Sequence, residues 1–93
     1  MEYSKRNGLA VYKNGRRFHY QNGLRHRIDG PAFERPDGYQ AWYKDGRLHR
    51  EGGPAVIRPD GWLEWWLNGL FVRREKTKVE DSENKIAQEN LLK

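Results

Sequence analysis

The sequence predicts an all-β chain: a β-meander of 23-residue repeats with a short C-terminal α-helix. Three observations carry that expectation. The stretch 22–38 is restated at 45–61, and the match runs on without a gap: Tyr39-Gln40-Ala41-Trp42-Tyr43-Lys44-Asp45-Gly46 aligns with Trp62-Leu63-Glu64-Trp65-Trp66-Leu67-Asn68-Gly69. A fixed period of this size marks a repeat array. Asn-Gly or Asp-Gly recurs at 14–15, 22–23, 37–38, 45–46, 60–61 and 68–69, each pair flanked by strand-forming residues. Finally, residues 76–93 contain neither Gly nor Pro and are rich in the helix formers Glu, Lys, Gln, Ala and Leu.

The elements follow in chain order. Residues 1–7 are polar and read as a flexible N-terminus. The repeat domain spans 8–74. Its first unit is degenerate: residues 9–15 stand where 32–38 stand later, and 16–23 where 39–46 stand. Terminal repeats are commonly atypical, so this unit reads as a cap. A two-residue type I′ turn at every Asn/Asp-Gly pair sets the register of about six or seven strands. That register places Phe33, Trp42 and His49 in one transverse row, and Ala32, Tyr43 and Leu48 in a row on the opposite face. The next unit gives Val56, Trp65, Val72 and Ala55, Trp66, Phe71; the first gives Ala10, His19, His26 and Leu9, Tyr20, Arg25. Aromatic residues beside small or β-branched ones suit neighbouring strands, with Trp42 and Trp65 as core residues. Asp29-Gly30 and Gly52-Gly53 link successive units. Pro36 and Pro59, which lack a ladder donor, belong at strand ends or bulges. In the tail, 75–93, a helix is expected over 80–91. Asp81 or Ser82 is its N-cap, and Val79, Ile86, Ala87 and Leu91 lie near one face.

Composition bounds the function. Ninety-three residues make one small domain, and four Trp, five Tyr and three Phe supply burial that a short chain otherwise lacks. There is no cysteine, so disulfides and thiolate metal sites are excluded and a reducing compartment is expected. No apolar run reaches membrane-spanning length and no signal-peptide core precedes the repeats, so a cytoplasmic protein without membrane association is expected. Residues 1–74 carry a net charge of +6 and residues 75–93 one of −1, giving the +5 of the whole. A basic body attracts nucleic acid or an acidic protein face.

The repeat pattern resembles a known family. His26-Arg27, Gly30-Pro31-Ala32, His49-Arg50 and Gly53-Pro54-Ala55, with Asp/Asn-Gly turns around them, look like MORN-type short β-hairpin repeats. They resemble in particular the His-Arg-x-Asp-Gly-Pro-Ala variety of small tailed-bacteriophage proteins. The resemblance covers about 8–74 and departs at Gly52 and at Val72-Arg73. It implies a β-meander with a binding role, in a phage accessory protein that acts on a bacterial host protein in the host cytoplasm. It implies no single activity, since fold does not fix function.

Candidate chemistry is sparse. His26 and His49 hold equivalent repeat positions, which favours packing or bonding to the Asp29 and Gly52 turns over metal ligation. No carboxylate accompanies them or His19 at ligand spacing. No nucleophile–base or paired-carboxylate spacing emerges, so neither enzyme activity nor a cofactor is expected. Arginines outnumber lysines in the repeat body. Arg27/Arg50 and Arg35/Arg58 recur with the period and read as scaffold. Arg16, Arg17, Arg25, Arg47, Arg73 and Arg74, with Trp62, vary between units and are the candidate binding residues. Arginine and aromatic rings suit a protein interface, the favoured reading. They also suit nucleic acid, the alternative. An open meander leaves two edges through which a homodimer could form.

Overall fold

The computed structural model describes residues 5–77. Among them every regular element is a β-strand: β1 (Gly8–Val11), β2 (Arg17–Gln21), β3 (Leu24–Arg25), β4 (Phe33–Glu34), β5 (Gln40–Ala41), β6 (Tyr43–Lys44), β7 (Arg47–Leu48), β8 (Val56–Ile57), β9 (Trp62–Leu67) and β10 (Leu70–Lys76). All pairing is antiparallel. One sheet runs β1-β2-β4-β5-β8-β9-β10 with β3 also on β2, and β6 pairs β7 beside it. The expected all-β fold is therefore present, as ten shorter strands rather than six or seven. The helix expected over 80–91 lies outside the described residues. β10 runs two residues past the expected repeat boundary at 74.

The six Asn/Asp-Gly pairs form two kinds of turn. Asn22, Asp45 and Asn68 have φ of 52°, 50° and 49°, and the glycine after each is also left-handed. These are the expected two-residue type I′ turns. They pair Tyr20 with Arg25, Tyr43 with Leu48 and Trp66 with Phe71. At 14–15, 37–38 and 60–61 only the glycine is left-handed. There the loop is one residue longer: Gly38 N–H donates to Arg35 O (3.1 Å) and Arg35 N–H to Tyr39 O (3.0 Å), with matching bonds at Tyr12 and Arg58. This is a type I turn closed by a left-handed Gly bulge. The expected register is thereby corrected by one residue in those three hairpins. Phe33 faces Ala41, not Trp42; Val56 faces Glu64, not Trp65; and Ala10 faces Phe18, not His19. In β10 the register shifts at Val72, so Trp65 faces Arg73.

The slip decides what lies inside, because side chains alternate faces. One face gathers Phe18, Phe33, Ala41, Val56 and Tyr43, with Phe18 and Phe33 stacked at 4.6 Å. Ala32, Ala41 and Ala55 are fully buried and Val56 is 2% exposed. The buried centre is thus alanine and valine, over which half-buried rings lie. Trp42 and Trp65, expected in the core, are half-buried on the other face.

Candidate functional site

On that other face the 23-residue period builds a row of rings under arginines. His19, Trp42 and Trp65 are equivalent, as are Arg27, Arg50 and Arg73. The Arg50 Cζ stands 4.0 Å from the Trp42 ring centre and that of Arg73 3.7 Å from Trp65. Arg27 Nη1 is 3.1 Å from His19 Nε2. Guanidinium over a ring is a cation–π contact worth ~0.5–2 kcal/mol. Arg27 and Arg50 then reach back into their own loops, Nη1 donating to Pro31 O (3.1 Å) and Pro54 O (3.0 Å). A Cβ on Gly30 or Gly53 would stand 2.9 Å from the arginine Cζ. The Arg and Gly-Pro of the repeat therefore work together: the arginine is clamped between ring and glycine and pins the loop to the strand.

The histidine beside each arginine couples one repeat to the next. His26 Nδ1 accepts from Asp45 N–H (3.0 Å) and His49 Nδ1 from Asn68 N–H (2.9 Å). Each imidazole thus holds the following type I′ turn, not the Asp29 or Gly52 turn of its own loop. At the N-terminal end Asn7 Oδ1 takes this role on Asn22 N–H (2.8 Å). With Nδ1 as acceptor, the neutral ring carries its proton on Nε2. His19 differs. Its partial burial, and then the Arg27 charge beside it, hold its pKa below the ordinary histidine value. Among the described residues no three of His, Asp and Glu form a metal-binding set.

Two grooves lie between successive loops. The larger, about 720 Å³, is lined by Trp42, Tyr43, His26, His49 and Arg50, together with the exposed Lys44 and Ile28. Ile28 is 91% exposed. The smaller, about 340 Å³, lies one repeat further on, between Arg50-Glu51-Gly52 and Trp65, Trp66, Leu67 and Val72. Arg50 and Glu51 line both. The arrangement brings cations and N–H donors beside aromatic rings, which is recognition chemistry.

The residues expected to bind are not gathered in one patch. Arg16 is exposed before β2, and Arg17 lies opposite Glu34. Arg25 is half-buried across Phe18, Phe33 and Tyr43, and donates to the Tyr43 hydroxyl (3.3 Å). Arg47 is exposed beside Gly69. Arg74 covers the half-buried Trp62 at 4.6 Å, and Arg73 covers Trp65 on the opposite face. Sequence reasoning missed the groove residues Lys44 and Arg50 and the exposed Leu70, Phe71 and Val72. Periodic recurrence had assigned Arg50 to the scaffold; the overlooked signal was that its neighbours change between repeats.

No known family model, curated protein or solved structure matches the chain.

Proposed function

We propose that the chain is a non-enzymatic binding module that docks a protein partner at the tip of the β9–β10 hairpin. One observation carries this reading. Leu67, Leu70, Phe71 and Val72, around the Asn68-Gly69 turn, are 44%, 72%, 53% and 52% exposed. Scattered exposed apolar residues are ordinary, but four around one hairpin tip concentrate apolar surface suited to docking. Arg47 and Arg73 stand beside it, and arginine with aromatic residues is the composition of interface hot spots. Nucleic acid is the competing reading. It calls for open ring faces to stack bases and for guanidinium groups free to meet phosphate. Arg25, Arg73 and Arg74 instead lie on rings of this chain. If the chain is phage-encoded, as its resemblance to the phage repeats implies, the partner is a bacterial host protein whose action it modulates in the host cytoplasm.

The test is affinity capture from bacterial lysate with and without nuclease, using the wild type and a Leu70→Asp/Phe71→Ser variant. A specific protein that survives nuclease and is lost with the variant supports the reading. Capture that disappears with nuclease, or is equal for both chains, refutes it.

A further inference from the structure

Arg50 differs from its two equivalents in one respect. Arg27 Nε lies 3.1 Å from Asp29 Oδ1, and its Nη1 lies 3.4 Å from Glu34 Oε1. Arg73 pairs with Glu75. One period on from Asp29 and Glu34 stand Gly52 and Ile57. Among the described residues no carboxylate lies within ion-pair distance of Arg50. The same cradle of ring, glycine and proline carbonyl therefore holds a guanidinium whose counter-charges have been removed. Its Nη1 is used on Pro54 O. Its Nε/Nη2 edge has no hydrogen-bond partner among the described residues, and such an edge binds a carboxylate through two parallel bonds.

The groove supplies further donors. Lys44 has no ion-pair partner among the described residues and lines the same space. His26 and His49 have Nδ1 committed to backbone N–H groups, which leaves Nε2–H. The acidic groups nearby are placed otherwise. Asp29 is held by Arg27, and the Asp45 carboxylate is exposed at the turn that His26 holds. Glu51 is mostly exposed, 3.9 Å from His49 Nε2.

We infer that the larger groove seats a carboxylate of the partner, an Asp or Glu side chain on an extended acidic segment. Arg50 is the principal donor, and Lys44 and the imidazole N–H groups assist. The inference rests on the docking reading above and names the partner's chemistry. Because Arg50 and Glu51 line both grooves, an apolar residue next to that carboxylate falls among Trp65, Trp66, Leu67 and Val72, contiguous with the hairpin tip. That continuity favours a carboxylate carried on a peptide segment over free phosphate.

The probes are a blocked Glu-Leu-Glu-Leu-Glu peptide, its Gln-for-Glu counterpart and inorganic phosphate, each titrated into the full chain. Binding is followed by the amide signals of Lys44 and Arg50 and the Trp42 indole signal. The Glu peptide should shift these signals and the Gln peptide should not. Ile57→Glu restores the carboxylate that Glu34 supplies to Arg27, and should weaken binding at least about tenfold; Lys44→Gln, at an exposed position, should weaken it about threefold. If Ile57→Glu fails to fold, Lys44→Gln decides. Equal binding of the two peptides, unchanged affinity in the variants, or tighter binding of phosphate than of the Glu peptide would overturn the inference. Loss of capture on Leu70→Asp/Phe71→Ser with no peptide binding would sink the carboxylate site and leave the docking reading standing.

Discussion

Asp45 and Asp37 each precede a glycine, and the backbone treats them in opposite ways. Asp45 sits at φ 50°, where a side chain costs energy that glycine does not incur. Asp37 has no such strain, and its Oδ1 accepts from Tyr39 N–H (3.0 Å), closing an Asx turn. Asp45→Gly should therefore be neutral to slightly stabilising, while Asp37→Gly should cost roughly 0.5–1.5 kcal/mol through the lost acceptor and added chain entropy. Urea unfolding of the two variants checks this; equal effects would contradict the two turn classes. The difference was legible at Pro36 and Pro59. A two-residue turn would make each proline pair across the ladder, where it has no N–H to give. In the longer loop the proline sits at the turn position that its fixed φ suits. Reading every Asn/Asp-Gly pair as one turn type therefore placed half the hairpins one residue out. His19 yields a second prediction. Its folded pKa is lowered, so the unfolded chain binds the proton first. Stability from this residue is full above the ordinary value of about 6.5 and falls as pH drops below it toward the folded pKa. His19→Gln, which keeps an acceptor for Arg27, should flatten that acid-side loss in melts between neutral and mildly acidic pH. An unchanged slope would contradict it.

At the scale of elements, the loop from His49 to Ala55 depends on an arginine clamped from both sides. Gly53→Ala pushes a methyl against the Arg50 guanidinium. The arginine tip can swing away, but it then leaves Trp42 and the Pro54 carbonyl, so a cost of about 1–2 kcal/mol is expected from the cation–π contact and one hydrogen bond. The same change in an Arg50→Met background should cost less, because the clamp is already gone; a double-mutant cycle measures the coupling, and strict additivity would refute the clamp. The repeat alignment made the recurring Arg and Gly-Pro visible but not their contact, because the contact depends on a register that the turns had misplaced. The alignment also placed a departure at Val72-Arg73. Only Val72 departs, and it is where the β9–β10 register shifts; Arg73 covers Trp65 as Arg50 covers Trp42. Where earlier repeats turn out through Gly-Gly-Pro or Asp-Gly-Pro, the last has Glu75-Lys76-Thr77, so β10 stays paired with β9 to Lys76. The candidate groove was written in the sequence too, as Gly52 and Ile57 in place of Asp29 and Glu34. Its meaning needed the structure, which sets those positions around one guanidinium.

At the scale of the molecule, the main sheet of the described residues pairs its strands in the single order β1-β2-β4-β5-β8-β9-β10, so the chain behaves as a short one-dimensional array with two ends. Among the described residues β1 ends it on one side with four residues and β10 on the other with seven, the seven all exposed. An unpaired strand of that length is a template for another chain unless its side chains oppose pairing. β10 divides that task along its length. Its first three residues, Leu70, Phe71 and Val72, are apolar and include the register shift, which bends the strand where docking is proposed. Its last four, Arg73, Arg74, Glu75 and Lys76, are charged. Arg74 and Lys76 also lie over Trp62, at 4.6 and 5.7 Å, and cover a ring that would otherwise face an incoming strand. The charged half thus opposes edge pairing, and the apolar half is the docking surface proposed above. Replacing Arg74 and Lys76 together by valine removes two like charges, uncovers Trp62 and raises β-propensity on the open edge. The double variant should form larger species than the wild type at equal concentration, seen by sedimentation or light scattering. Arg16→Val/Arg17→Val removes the same charge away from β10 and should not. If both variants associate alike, net charge rather than the β10 edge governs solubility. If neither does, the edge is guarded by something other than Arg74 and Lys76.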